Sequence, residues 1–200
     1  MSTSYVPPHL RGKTPATTNL IYNHPSHGYT FKKSPSPNKT FVKQTSYKAI
    51  VVPMIGNKYI VVRDVKSKNK TFIGGGCKKT NASKRNCALR ELMQESKNTI
   101  KVNRNNLKPF GSFNSRNRSK SEKLNNLRQK RNVTLRHILF KVRLPNTSNI
   151  NKIRTNFKSF RSNDPEYLET NNIYLMSKNN LNRDPKLWNF MRKHVLSRLT

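Results

Sequence analysis

Gly74-Gly75-Gly76-Cys77, followed by Asn86-Cys87-Ala88-Leu89-Arg90-Glu91-Leu92-Met93-Gln94-Glu95, is the stretch that decides how this chain folds. Three successive glycines leave the backbone free for a tight turn. The spacing of Ala88, Leu89, Leu92 and Met93 then predicts a helix over 82–96 with those four as its buried stripe. Glu91 and Glu95 fall one helical turn apart, on one face. The chain has only 8 acidic residues against 41 Lys and Arg, a formal net charge of +33, so a local carboxylate pair asks for a reason. Two like charges in one spot repel unless a cation such as Mg²⁺ sits between them or Arg90 neutralises them. An ordinary solvated helix face is the plainer reading of the same spacing.

Around this stretch the chain reads as strands. SYKAIVVP (46–53) and KYIVVRDV (58–65) are β-rich runs joined by Gly56-Asn57, a hairpin signal. Thr71–Ile73 is a short strand entering the glycines. Residues 107–113 and 134–144 (TLRHILFKVRL) read as two more strands, 149–160 as a short helix and NIYLM (172–176) as a late strand. Asp184-Pro185 predicts the start of a final helix to about Leu199, with Asp184 as its cap. Leu187, Phe190, Met191, Val195 and Leu199 form its buried stripe, and Trp188 falls at the domain edge.

The remaining segments look different. Residues 1–44 hold more than half of the 11 prolines and no acid. Such a segment cannot bury enough apolar surface to offset its ordering entropy, so a disordered basic tail is expected before a domain at 45–200. Between 114 and 132 the run RNRSKSEKLNNLRQKR (116–131) reads as a basic insertion between two strands. It is either a solvated loop without a role or an RNA-facing arm carried by Arg116, Arg118, Lys120, Arg128, Lys130 and Arg131, and the arm is preferred. A chain this basic should hold polyanions through sequence-independent, salt-sensitive contacts. No apolar run reaches the roughly 18 residues of a membrane helix, and the N-terminus has no signal-like apolar region. Cys77 and Cys87 are too few for a disulfide framework and have no zinc-ligand spacing. They read as buried free thiols in a reducing, cytosolic or nuclear, setting.

Gly76 followed by Arg90-Glu91-Leu92-x-x-Glu95 resembles the Nudix box, G-x5-E-x7-R-E-U-x-E-E-x-G-U with U bulky and apolar. Gly76, Arg90, Glu91, Leu92 and Glu95 are in register with it. Ala82 stands at the first Glu, Gln94 at the first Glu of the pair, and Lys97-Asn98 at the closing Gly and apolar residue. The resemblance implies an α/β fold, an α/β/α sandwich with a mixed sheet. It also implies a loop–helix–loop that holds Mg²⁺ or Mn²⁺ to cleave the pyrophosphate of a nucleoside diphosphate derivative. Glu91 and Glu95 would hold the metal with Gln94 as a neutral donor, and Gly74, Gly75 and Gly76 would shape the loop. Arg90 would brace the helix by gripping a carboxylate. A further glutamate would complete the site or act as base; Glu166 and Glu169 are the candidates by position, and Glu169 is preferred.

The charge favours a long RNA substrate over a small nucleotide. Loose boxes and basic insertions are similar to those of mRNA-decapping Nudix proteins of large DNA viruses. That implies hydrolysis of capped RNA in the cytoplasm (the host's, if the protein is viral), with the virion as a second location. Phe110, Phe113, Tyr167 and Trp188 are available to stack on a cap. The other reading is a catalytically degenerate Nudix-fold RNA-binding or virion structural protein. Finally, Tyr5 and Leu10 resemble the Y-x4-L motif that docks on the cap-binding translation initiation factor, with a Pro-rich spacer as the alternative.

Overall fold

The structure is a computed structural model that describes residues 42–78, 80, 81, 83–115 and 131–199. Tyr5 and Leu10, the position of Ala82, and Arg116, Arg118, Lys120, Arg128 and Lys130 lie outside the described residues, as does the side chain of Arg131.

Seven strands form one mixed sheet: β1 (Val42–Ile55), β2 (Lys58–Asp64), β3 (Lys70–Thr71), β4 (Ile73–Gly76), β5 (Lys108–Ser115), β6 (Arg131–Leu144) and β7 (Thr170–Met176). The order is β3-β2-β1-β6-β5, with β4 paired to β1 and β7 to β2. β1 is the spine. It runs parallel to β6 from Val42↔Arg131 to Ile55↔Leu144. Its other edge is shared between β2, which turns back at Gly56 (φ 58°), and β4, which pairs Lys48–Val51 with Gly76–Ile73. The remaining pairings are antiparallel.

The apolar runs of β1 and β2 are near-continuous because the sheet is covered on both faces. Ala49, Val51, Ile60 and Val62 face α1 (Lys84–Glu95) and α2 (Ile150–Ser159), meeting Cys87, Ala88, Leu92 and Phe157. The alternate residues Ile50, Val52, Met54, Tyr59 and Val61 face α3 (Lys178–Arg183) and α4 (Asn189–His194), meeting Leu181, Met191, Val195 and Leu196. The expected α/β/α sandwich is therefore present, and the period-two alternation of strand side chains divides the two cores.

Several element boundaries differ from expectation. β1 starts at Val42, so 42–44 belong to the sheet and not to the tail, because β6 extends alongside and pairs with them. Likewise Asn114, Ser115, Arg131 and Asn132, assigned to the insertion, lie in β5 and β6. The three glycines are strand, not turn: Gly74–Gly76 pair with Ile50–Lys48. The long C-terminal helix is absent. Asp184 ends α3 rather than capping a new helix, and its carboxylate takes the Lys70 ammonium and the Lys186 N–H. Lys70 N donates to Lys186 O at 2.7 Å, and Trp188 N donates to Lys70 O at 2.9 Å. The β3 edge thus claims the backbone groups that a helix from 185 would need, and α4 begins only at Asn189. The predicted stripe nevertheless packs, with Leu187, Met191, Val195 and Leu199 buried and Phe190 half-buried against them.

Candidate active site

Helix α1 begins at Ser83, whose Oγ accepts from Asn86 N at 3.1 Å and caps the first turn. It ends in two left-handed residues, Lys97 (φ 53°) and Asn98 (φ 58°), with Asn98 N donating to Met93 O at 2.7 Å. Lys97 thus holds the conformation for which glycine is the usual choice at a helix terminus. The buried face of α1 is not the one the apolar spacing predicts. Ala88 and Leu92 are buried, but Met93 is 38% exposed, while Glu91, Gln94 and Glu95 turn inward at 6%, 9% and 8% exposure. The helix presents this polar edge to β4 and to the turn before β7.

The glycines make room for it. A Cβ on Gly75 would lie 2.4 Å from Glu91 Oε2, and one on Gly74 would lie 2.4 Å from Ala49 O, whereas one on Gly76 would meet no atom of the described residues within 4 Å. The N–H of Gly74 donates to Glu95 Oε2 at 2.9 Å. Arg90 ties the remaining pieces together. Its Nη2 donates to Gly76 O at 2.7 Å and to Glu91 Oε1 at 2.5 Å, and its Nη1 donates to Gln94 Oε1 at 2.7 Å. One guanidinium thereby fixes strand, helix and carboxylate, a task its planar fork suits. Arg90 Nε is buried and has no partner among the described residues.

Glu166 stands on the rim. It pairs with Lys78 and accepts from Gln94 Nε2, and its Oε2 lies 3.8 Å from Arg90 Nη1. Glu169, the preferred candidate, is exposed just before β7; its carbonyl accepts from Val65 N at 2.9 Å, and its charge acts on both Glu91 and Glu95. Gln94 has a different task from that of a neutral metal donor, since its oxygen is held by Arg90 and its amide nitrogen by Glu166. Asp64, not singled out in the sequence, ends β2, accepts from Ser67 N at 2.5 Å and adds to the field on Glu95. Its signal was available, since it is one of only 8 acids.

The electrostatics follow from this packing. Burial raises the Glu95 carboxyl well above the usual carboxylate range; the Gly74 hydrogen bond opposes the rise, and the charges of Glu91, Glu169 and Asp64 add to it. Burial also raises Glu91, against the pull of Arg90. Glu166 is lowered by its hydrogen bond from Lys78, with Gln94 and Arg90 assisting. Two carboxylates pushed toward protonation by burial and by neighbouring acids are short of positive charge. Among the described residues no three His, Cys, Asp or Glu side chains are gathered closely enough to enclose a metal by themselves. Glu91 and Glu95 do match Mg²⁺, which commonly takes one or two protein carboxylates and fills its octahedron with water and phosphate. The donor set fits.

Cys77 and Cys87 are not free thiols. Packing of α1 against the end of β4 brings their Cα atoms to 5.3 Å, and they form a disulfide that ties the glycine strand to the helix. The expectation of a reducing setting, which rested on free thiols, loses that support.

No family model matches this chain, and no curated protein matches it. Solved structures do resemble it. One is a mutant form of the Bacillus subtilis pyrophosphohydrolase BsRppH, at 16% identity over 84% of this chain and 83% of that one, with a TM-score of 0.47. Another is a mutT/nudix family protein from Listeria innocua, at 14% identity over 76% and 90%, with a TM-score of 0.44. A third is the NUDIX domain of Shewanella oneidensis NrtR complexed with ADP ribose, at 8% identity over 82% and 92%, with a TM-score of 0.48.

Proposed function

We propose that this protein is a Nudix-type pyrophosphohydrolase that acts on 5′-capped RNA. The observation that carries the proposal is the buried pair Glu91, held against Gly75 by Arg90, and Glu95, held by the Gly74 N–H, on a chain of net charge +33. Glu91 and Glu95 would hold Mg²⁺ or Mn²⁺. The ion supplies charge stabilisation to the pyrophosphate oxygens and lowers the pKa of water.

The protein's own groups do the rest. Arg90 orients Glu91 and opposes the rise that burial imposes on its carboxyl. The Gly74 N–H fixes one oxygen of Glu95, which leaves the other for a ligand. Glu169, exposed beside the carboxylates, is free to take the proton of an attacking water, whereas Glu166 is already engaged by Lys78 and Gln94. Positioning of a phosphate chain and offset of its charge is most of what phosphoryl chemistry asks of a protein. RNA is preferred to a free nucleotide because the cationic excess rewards a long phosphate backbone. The basic residues of 116–131 are proposed as an arm for that backbone, and Tyr5 and Leu10 as a contact for the cap-binding initiation factor.

The test is release of label from cap-labelled RNA with Mg²⁺ or Mn²⁺. Wild type should release m7GDP or a nucleotide, and Glu91→Gln/Glu95→Gln should not. Equal release by both would remove the enzyme reading. A second reading is a non-catalytic RNA-binding protein of the same fold. It is favoured by Gln94, an uncharged residue whose amide is spent on Arg90 and Glu166 rather than turned to a metal. Salt-sensitive RNA binding without metal-dependent release would support it.

A further inference from the structure

A cationic cleft lies at the far end of the sheet from the carboxylate pair. A cleft of about 200 Å³ opens there, where Met54, Tyr59 and Phe110 meet Lys141, Arg143 and Arg198. Met54 and Tyr59 are buried and form its floor, while the three basic side chains are exposed at its rim. It is on the face covered by α3 and α4, opposite α1. Along β1, Met54 is about 20 Å from Lys48, the residue paired with Gly76, at the usual rise per strand residue.

The cleft is charged without being neutralised. Among the described residues no carboxylate lies within salt-bridge distance of Lys141, Arg143 or Arg198; the ion pairs present use Lys70, Lys78 and Arg90. Arg198 is pre-positioned, donating from Nη1 to Ser112 O at 3.3 Å and lying over the Phe113 ring at 5.5 Å. Phe113 is itself stacked between His137 (centroids 4.6 Å) and His194 (4.7 Å). Phe190 leans on this stack and continues to Trp188, which is 46% exposed, at 4.9 Å. His137 pairs with Lys48 across β1 and β6, at the catalytic end of the sheet. Buried His137 and half-buried Phe113 thus form an aromatic stack that backs Arg198 at the edge of the cleft.

We infer that this cleft is part of a binding path for single-stranded RNA, with Lys141, Arg143 and Arg198 gripping backbone phosphates and Phe110 offering a base a stacking face. Stacking rings combined with a cationic groove bind single strands without sequence preference. The inference rests on the reading of the substrate as RNA, and it places the body of the strand on the face opposite α1 while the 5′ end occupies the carboxylate site.

The test uses the full chain and an uncapped single-stranded RNA, with binding followed by fluorescence anisotropy across a salt series. Lys141→Gln/Arg143→Gln/Arg198→Gln should weaken binding by about tenfold or more and make the log–log salt slope shallower by about 2, at roughly 0.7 per phosphate no longer neutralised. Lys66→Gln/Lys101→Gln/Lys158→Gln removes equal charge from exposed sites elsewhere and should change affinity by less than about twofold, as expected of charges that touch no phosphate. Phe110→Leu, which keeps the charge, should cost at least about fivefold. Equal weakening by both triple variants would reduce the path to general charge and overturn it. So would an acidic peptide that displaces the RNA from wild type but not from the cleft variant, which would make the cleft a protein site. Hydrolysis of a cap dinucleotide is measured alongside: its absence in wild type would sink the hydrolase reading while leaving the binding result to stand or fall alone.

Discussion

Gly75 has no side chain because Glu91 occupies the space where one would be: a Cβ there would lie 2.4 Å from the carboxylate Oε2 and 2.7 Å from Cδ. The three glycines therefore do three different things. Gly75→Ala should displace the Glu91 carboxylate and weaken Mn²⁺ binding by about tenfold or more, the scale at which disturbing a ligand's support is felt. Gly74→Ala meets backbone instead, Ala49 O at 2.4 Å and Ile50 Cα at 2.9 Å. It should destabilise the fold by about 1–3 kcal/mol, as overpacking does. Gly76→Ala meets nothing among the described residues and should be neutral in both measurements. Mn²⁺ titration and denaturant melts of the three variants separate these outcomes; loss of fold in all three would show the strand, and not the carboxylate, to be what needs glycine.

Arg90 joins Gly76 O, Glu91 and Gln94 through two nitrogens. Arg90→Ala leaves Glu91 buried without its counter-ion and should cost about 1.5–3 kcal/mol in a denaturant melt, the range for a hydrogen bond to a charged group. Arg90→Lys should recover little of it, because an ammonium cannot span the same acceptors. Full recovery by lysine would reduce the role to charge alone.

Buried His137 gives a pH dependence whose sign can be worked out. Burial, with the charges of Lys48 and His194 nearby, holds its imidazole down at about 4 instead of 6.5. The unfolded chain takes up the proton first as pH falls. The stabilisation is thus complete above the unfolded value and lost as pH drops from 6.5 through about 4. The full effect is up to about 3 kcal/mol. His137→Phe should flatten this part of the stability profile, with thermal melts as the measure. An unchanged acid slope in the variant would assign it to other groups.

Reduction should loosen the link between β4 and α1. Cutting the Cys77–Cys87 bridge, which closes a loop of separation 10, should cost about 3 kcal/mol by the loop-entropy estimate. Cys77→Ser/Cys87→Ser should melt at the same temperature with and without reductant, whereas the wild type should shift. A wild type indifferent to reductant would mean that the thiols are not paired in solution.

The strands were legible because a sheet covered on both faces leaves its mark as apolar runs, and because Gly56-Asn57 marks the hairpin. Glu91 and Glu95 were legible because helical spacing places them together whatever the helix packs on. What the sequence hid depends on contacts between distant segments. Nothing local shows that β3 would take the backbone of 186–188 and cut the last helix short. Nor does it show that α1 would bury Gln94 and expose Met93, which follows from where β4 and the turn at Glu166 lie. The cysteine pair arises in the same way.

The claim on which the functional reading turns is that Glu91 and Glu95 together hold a divalent cation. Calorimetric titration of Mn²⁺ into the wild type, Glu91→Gln and Glu95→Gln measures it without relying on any substrate. The wild type should show saturable binding, and each variant should lose about tenfold or more in affinity. The stability of metal-free Glu95→Gln relative to the wild type should improve as pH rises, because the raised Glu95 carboxyl makes the wild type bury a charge there and the variant does not. Indistinguishable binding by all three proteins would contradict a metal site at this pair.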